Sequence, residues 1–319
     1  MYLLESGLPL IFDPFPDESG LGYCLRVLSR NGTDFHGLRR LLGIAEVTPI
    51  SRSQAYETAK LLKVSIPWLQ ESLPEAHRTR TGAHRFFGHQ MFARNHLRAH
   101  YPQVCAQCIH RYGYCRAAWE LSLTTVCLEH RRTLTSRCHE CGQALRWDRR
   151  SIDVGHCGHY IKFAPDCQPV SDDLLKWQKF VEGKFSSEEN LSNSGAPGWL
   201  KILQPMTLGG IFVVVTAFGF IERPFVPISS VVSVKNLCPS EWQVIVERGI
   251  SRLSAFQSGC GSDELSGLVA QHLLLRLLKA DVASVDQQTA LGMLAKIFKT
   301  ELDRHLLGQY PHLGQLQLF

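Results

Sequence analysis

The sequence predicts a mainly α fold with a small Cys/His ribbon insert. Three patterns carry that expectation. Apolar residues recur at helical spacing towards both ends of the chain, ligand-type cysteines and histidines gather over 105–167, and a Ser-, Asn- and Gly-rich stretch over 183–198 follows them. The expected organisation is an N-terminal helical, helix-turn-helix-like domain over 1–100, tandem metal-binding ribbons over 101–170, a linker or long loop over 171–200 and a C-terminal helical domain over 201–319. A length of 319 residues suits roughly two domains. A hydrophobic content of 45% is that of a folded chain rather than a disordered one.

Taken in order, Asp17-Glu18-Ser19 precedes a run with Leu21, Leu25 and Leu28 on one face, and acids in a first turn favour the helix dipole. Asn31-Gly32 reads as the stop. Phe35, Leu38, Leu41 and Leu42 mark a second short helix. Residues 54–73 read as two helices around a tight turn near Val64-Ser65, with Ala59, Leu62, Val64, Ile66, Leu69 and Leu73 inside. That pair resembles a helix-turn-helix, whose second helix enters a major groove; the same pattern also serves helices that only pack.

Residues 202–221 are uncharged, long enough to cross a bilayer. Gln204, Pro205 and Thr207 interrupt the first third and Gly209-Gly210 follow, so the expectation is a buried core segment. Beyond it, 242–253 is amphipathic. Ser262-Asp263-Glu264 is expected to open a helix over 265–279, apolar on most sides. Ser284-Val285-Asp286-Gln287 fits a capping box ahead of a last helix with Leu291, Leu294, Phe298 and Leu302 facing inward.

The net charge of +5 is unevenly spread. Between His77 and Arg150 lie 13 Arg, no Lys and four acids, a local net of +9, which leaves −4 for the rest. Arg is a planar fork suited to phosphate. Such a patch is the footprint of nucleic-acid contact, or of a solvated face or a dock for an acidic protein. Arg85, Arg94, Arg98, Arg131, Arg132, Arg149 and Arg150 are the candidates for nucleic-acid or partner contact.

Eleven cysteines behind an N-terminus with Glu5 and no basic run point to a reducing compartment, where metal ligation is favoured over disulfides. Cys105-x2-Cys108 and Cys127-x2-His130 supply two ligand pairs, and three thiolates with one imidazole suit a closed, structural Zn(II) site. A second set starts with Cys138-x2-Cys141 and continues with Cys157 and His159; His156 and Cys167 compete for its fourth position. Two structural Zn(II) ions would stabilise a segment with few large aliphatic residues. Cys24, Cys115, Cys238 and Cys260 read as small buried hydrophobes. The chain has no His-Glu-x-x-His, no phosphate loop, no Gly-x-Ser-x-Gly and no deaminase-type His-x-Glu before Cys105, so no catalytic residue is assigned. Iron–sulfur clusters usually take four thiolates, and both sets offer a histidine.

These residues carry a family resemblance. Pro16-Asp17-Glu18-Ser19, Leu25-Arg26-Val27 and Asn31-Gly32 resemble the N-terminal signature of TniQ proteins. The pattern Cys105, Cys108, Tyr114, Trp119, Cys127, His130, Leu134, Cys138, Cys141, Gly142 and Leu145 resembles their metal-binding core. The resemblance covers about 14–161. Where the family often closes the second ribbon with Cys-x-Cys-Gly, this chain has Cys157-Gly158-His159-Tyr160, which carries the last ligand to His159.

The resemblance implies a non-enzymatic target-selection adaptor of a transposon, of the shorter, CRISPR-associated kind. Its partners would be an RNA-guided CRISPR effector complex with guide RNA and the AAA+ ATPase TnsC, with DNA contacted weakly or indirectly. A homodimer, a bacterial cytoplasmic location and no membrane contact go with it. The alternative is a TnsD-like protein that reads a DNA attachment site directly. A zinc-dependent nucleic-acid enzyme is the third reading, and it needs an open metal position.

Overall fold

A computed structural model describes residues 7–44, 50–75, 84–92, 94–162, 170–187, 197–223, 237–259, 262–279 and 281–298, with the Arg94 side chain outside that description. Cys167, Cys260 and Leu302, named above, also lie outside it. The described residues are mainly helical, with two small antiparallel hairpins. The chain divides into two compact units, Met1–Ser186 with Lys235–Ser240, and Ser187–Val234 with Glu241–Phe319.

In the first unit, α1 (Gly20–Arg30) is capped by Ser19, whose hydroxyl accepts from the Gly22 amide at 3.0 Å. Asn31 ends it, and Gly32 takes φ of 67° to turn the chain. The acids before α1 do not serve its dipole as expected. Glu18 is fully buried and forms a two-pronged pair with Arg26, at 2.7 Å from both Nε and Nη2. α2 (Phe35–Leu42) is capped by Asp34, which accepts from Gly37, and closed by left-handed Gly43.

α3 (Ala55–Leu62) and α4 (Ile66–Ser72) form the expected tight pair, turned by Lys63 at φ of 50°. Ala59, Leu62, Leu69 and Leu73 are buried, and Val64 and Ile66 pack against the same core half-buried. α1 lies close on α4: a Cβ added to Gly20 would come within 2.6 Å of the Ser72 carbonyl oxygen. β1 (His84–Phe86) and β2 (His89–Met91) follow as a short hairpin that periodicity did not reveal.

The same core continues into α5 (Ala106–Tyr112) and the hairpin β3 (Val126–Cys127) and β4 (Arg132–Thr133). It reaches Leu145, Trp147, Ile152 and Ile161. α6 (Asp172–Ser186) lies in the stretch expected as a linker or long loop. Leu174, Trp177, Phe180 and Val181 bury one face of it, and the Trp177 indole donates to the Leu123 carbonyl at 3.0 Å. The polar residues that read as loop begin only at its last turn.

The second unit is built on α8 (Leu208–Gly219), preceded by α7 (Gly198–Leu203). Every residue of α8 is buried, which is the core segment expected of 202–221. α9 (Pro239–Gln257) packs on it through small residues: a Cβ on Gly249 would lie 2.6 Å from the Val215 carbonyl oxygen. Arg252 donates to the carbonyls of Phe218, Ile221 and Leu268, and Arg248 to that of Gly219, so cations hold the C-terminal end of α8.

The single helix expected over 265–279 is instead α10 (Ser262–Ser266), α11 (Gln271–Leu274) and a 3-10 turn, Leu275–Leu278. Gly267 weakens helix continuation, and the break lets the Ala270 amide reach the Ala217 carbonyl at 2.9 Å. α12 (Ser284–Phe298) starts one residue earlier than the capping-box reading requires. Asp286 is buried inside it and accepts instead from the backbone amide and hydroxyl of Thr207, the N-cap of α8.

Candidate metal centres and nucleic-acid interface

Two clusters among the described residues could hold a metal ion: Cys105, Cys108, Cys127 and His130, and Cys138, Cys141 and Cys157. In the first, Cys105 stands at the N-cap of α5 and Cys108 one turn along, so both sulfurs leave the helix on one side. β3 and β4 pair Cys127 with Arg132, and Arg131 takes a left-handed φ of 48° that turns His130 back beside Cys127. His130 Nδ1 lies 3.3, 3.2 and 3.6 Å from the sulfurs of Cys105, Cys108 and Cys127, and the last two sulfurs are 3.6 Å apart.

Those spacings exclude a disulfide and suit a metal. A disulfide needs sulfurs ~2.05 Å apart. Ligands at ~2.0–2.3 Å in a tetrahedron stand ~3.3–3.8 Å from each other. The donor set therefore fits an ion of zinc's size and softness, with three thiolates and one imidazole filling four positions. Without a cation the thiols compete for charge. Cys127 is held well below the ordinary thiol range by hydrogen bonds from Cys105 and Cys108. Cys108 is held far above it by its own bonds to Cys105 and Cys127.

Glu129, which sequence reading missed, closes this site from outside. It accepts from Tyr112 at 2.7 Å, Arg111 at 3.1 Å and Arg116 at 3.5 Å, tying the end of α5 to the hairpin. The signal available was an acid directly beside a ligand.

In the second cluster, both knuckles turn on left-handed glycines, Gly142 and Gly158, at φ of 68° and 82°. Cys138 and Cys157 sulfurs are 3.4 Å apart. Gly155 must be small here, since a Cβ would stand 3.0 Å from the Cys138 sulfur. The fourth position is less complete. His159 Nδ1 lies 3.4 Å from the Cys157 sulfur. The His156 ring is engaged elsewhere, with Nε2 3.0 Å from Asp148, which weighs against it as the ligand.

The structure separates six of the seven arginines, the Arg94 side chain lying outside the described residues. Arg85, Arg131, Arg132 and Arg150 are exposed, with Arg131 and Arg132 adjacent on the first site's hairpin. Arg149 is not a surface group: it is 1% exposed and donates to the Arg146 and Ile152 carbonyls. Arg98 is half-buried and donates to the Tyr101 and Leu237 carbonyls. The composition showed a basic window but not which forks were spent on backbone. Cys24 and Cys115 are buried as expected, while Cys238 is half-buried beside Ser240.

The signature before α1 and the first metal cluster form one block. The Ser19 amide donates to the Cys115 carbonyl and the Ala117 amide to the Asp17 carbonyl, both at 2.8 Å. The Tyr114 hydroxyl donates to Asp17 at 2.7 Å. This block is the part of the chain that matches a known family: a TniQ family model covers residues 9–134. Over those residues the chain is similar to the TniQ family. The match ends just past the first metal cluster, so the second cluster and the second unit lie beyond it. A TniQ domain implies a transposition target-selection protein, and TniQ family proteins are non-catalytic targeting proteins. No curated protein matches the chain. No described helix is long and apolar enough to cross a membrane.

Proposed function

We propose that the chain is a non-enzymatic target-selection adaptor of a bacterial transposition system. It links an RNA-guided CRISPR effector, or another target-recognition module, to the AAA+ regulator TnsC. The observation that carries this is the TniQ match itself, over a rigid block in which the Asp17-Glu18-Ser19 signature is bonded to the knuckle. Zn(II) at the first cluster would supply folding energy rather than chemistry, since its four protein donors leave no position for substrate. His159 is the proposed fourth ligand of the second.

The TnsD-like reading asks α4 to read a major groove. Its sequence, IPWLQES, has no Lys or Arg, and Glu71 is its exposed charge. Phosphate contact from such a helix is unfavourable, so the adaptor reading is preferred. The test is co-purification of the tagged, metal-loaded chain with the ATPase and effector encoded beside it, after nuclease treatment. Capture of both is expected. Failure to capture either, with tight binding to the insertion flank that survives physiological salt, overturns it in favour of a direct DNA reader.

A further inference from the structure

A cavity of about 210 Å³ opens in the first unit beside α2 and the second knuckle. Phe35 and Trp147 line it, both buried. Arg39, 7% exposed, and Arg146, whose side chain is 44% exposed, bring two guanidinium groups to it. His100 and Tyr101 complete the lining, with Tyr101 40% exposed.

The one acid in the lining, Asp148, is already paired with Arg146 and lies beside two imidazole rings. Arg146 lies at 2.7 Å, His156 at 3.0 Å and His36 at 3.9 Å. Arg146 balances the charge of Asp148 through Nη2, so Arg39 supplies the net positive charge of the lining and Arg146 offers a phosphate only its other N–H groups. The framework is fixed before any ligand arrives. Buried Arg149 sits 5.5 Å from the Trp147 ring and donates to the Arg146 carbonyl at 2.6 Å. Arg98 holds the Tyr101 carbonyl at 3.1 Å.

Two arginine forks and an imidazole are the chemistry of phosphate recognition. An exposed tyrosine next to them offers a face for a base. Bases inside a duplex are already stacked, so that face is useful only to an unstacked base. The volume falls below the ~300–1,000 Å³ of small-molecule sites, so it suits one part of a longer ligand.

We infer that this cavity holds one nucleotide of a single-stranded nucleic acid, with its phosphodiester between Arg39 and Arg146 and its base against Tyr101. The inference deepens the adaptor reading by placing its nucleic-acid contact, and it fails separately from the bridging of ATPase and effector.

The test is fluorescence anisotropy of the full, metal-loaded chain with a short labelled RNA, the same strand as DNA, its duplex, and the RNA with abasic sites. Tyr101→Ala is expected to weaken binding of both single strands about tenfold. Arg146→Gln is expected to weaken it at least as much, and the abasic strand to bind the wild type no better than the intact strand binds Tyr101→Ala. The RNA and DNA arms read whether a 2′-hydroxyl adds to the shared chemistry. Tyr101 stands at the surface, so its variant keeps the melting temperature even where Arg146→Gln does not. Unchanged single-strand affinity in Tyr101→Ala overturns the inference. So does a wild-type preference for duplex, or displacement of the strand by a mononucleotide of equal affinity. Any of these with ATPase capture intact leaves the adaptor reading standing.

Discussion

The Ser19 hydroxyl donates to the carboxylate of Glu120, 101 positions away and 2% exposed. The same oxygen accepts from Gly22 and so caps α1. One hydroxyl thus ties the first helix to the turn ahead of the hairpin that carries two of the candidate metal ligands. Burial pushes the Glu120 carboxyl up to about 8, against the opposing hydrogen bond from Ser19.

A carboxyl raised in this way binds more protons in the folded state than in the unfolded chain. Its contribution is fully present below the unfolded value of 4.5 and is lost as pH rises through about 8. Glu182, pushed up to about 7 by burial, acts in the same direction. A tenfold change in proton affinity is worth ~1.4 kcal/mol, an upper bound for a site that relaxes. The melting temperature of the wild type should therefore fall between pH 5 and pH 8.5, and Glu120→Gln should flatten that fall. Calorimetric melts across this range check it; a variant with an unchanged slope would remove Glu120 as its source.

The first metal cluster shares its core with α1–α4, and the second does not to the same degree. Cys105, Cys108 and Cys127 are all part of the continuous core, whereas Cys141 and Cys157 are exposed. Cys108→Ser should lose one metal ion and lower the melting temperature of the first unit by ~10 °C or more. Cys157→Ser should lose the other ion with only local loosening of the second ribbon. Metal content by mass spectrometry and limited proteolysis separate the two outcomes. Equal damage from both variants would mean that the ribbons fold as a single piece.

The elements legible in the sequence are those in which local signals agree with burial. Ser19 and Asn31-Gly32 bracket α1, Phe35 and Leu38 face the core from α2, and the Val64-Ser65 turn falls between α3 and α4. The first metal cluster was legible because ligand spacing along a chain survives any fold. What failed was decided by tertiary partners. Asp286 lies inside what reads as a local capping box and instead bonds the N-cap residue of another helix, and Gly267 breaks a helix whose apolar pattern runs straight through it. Arg149 reads as surface charge until the carbonyls around it are known. The lining of the cavity comes from positions 35, 39, 100–101 and 146–148, which no local window joins.

Asp286 makes a prediction for the second unit. α8 is apolar on all sides, so its ends carry its polar specificity: Asp286 at Thr207, and Arg248 and Arg252 at the C-terminal carbonyls. Asp286→Ala leaves the Thr207 amide and hydroxyl without their acceptor and should cost about 1–3 kcal/mol. Asp286→Asn keeps one acceptor and should cost less. Urea unfolding of the two variants checks the order; equal stability of Asp286→Ala and wild type would show that water replaces the carboxylate.

Arg131 and Arg149 lie in the same basic window and should behave oppositely. Arg131 is exposed, at a left-handed φ of 48°, where glycine is the least strained replacement. Arg131→Gly with Arg132→Ala should keep the fold and weaken binding to all nucleic-acid sequences alike. The slope of log affinity against log salt should then drop by about 1–2, roughly one for each phosphate no longer neutralised. Arg149→Ala removes a buried guanidinium that holds the Arg146 and Ile152 carbonyls, so it should lower the melting temperature first and binding only as a consequence. Salt titrations and melts on the same samples distinguish them. An unchanged salt slope in the double variant takes Arg131 and Arg132 out of the nucleic-acid face and leaves the cavity beside Tyr101 as the place where phosphate is held.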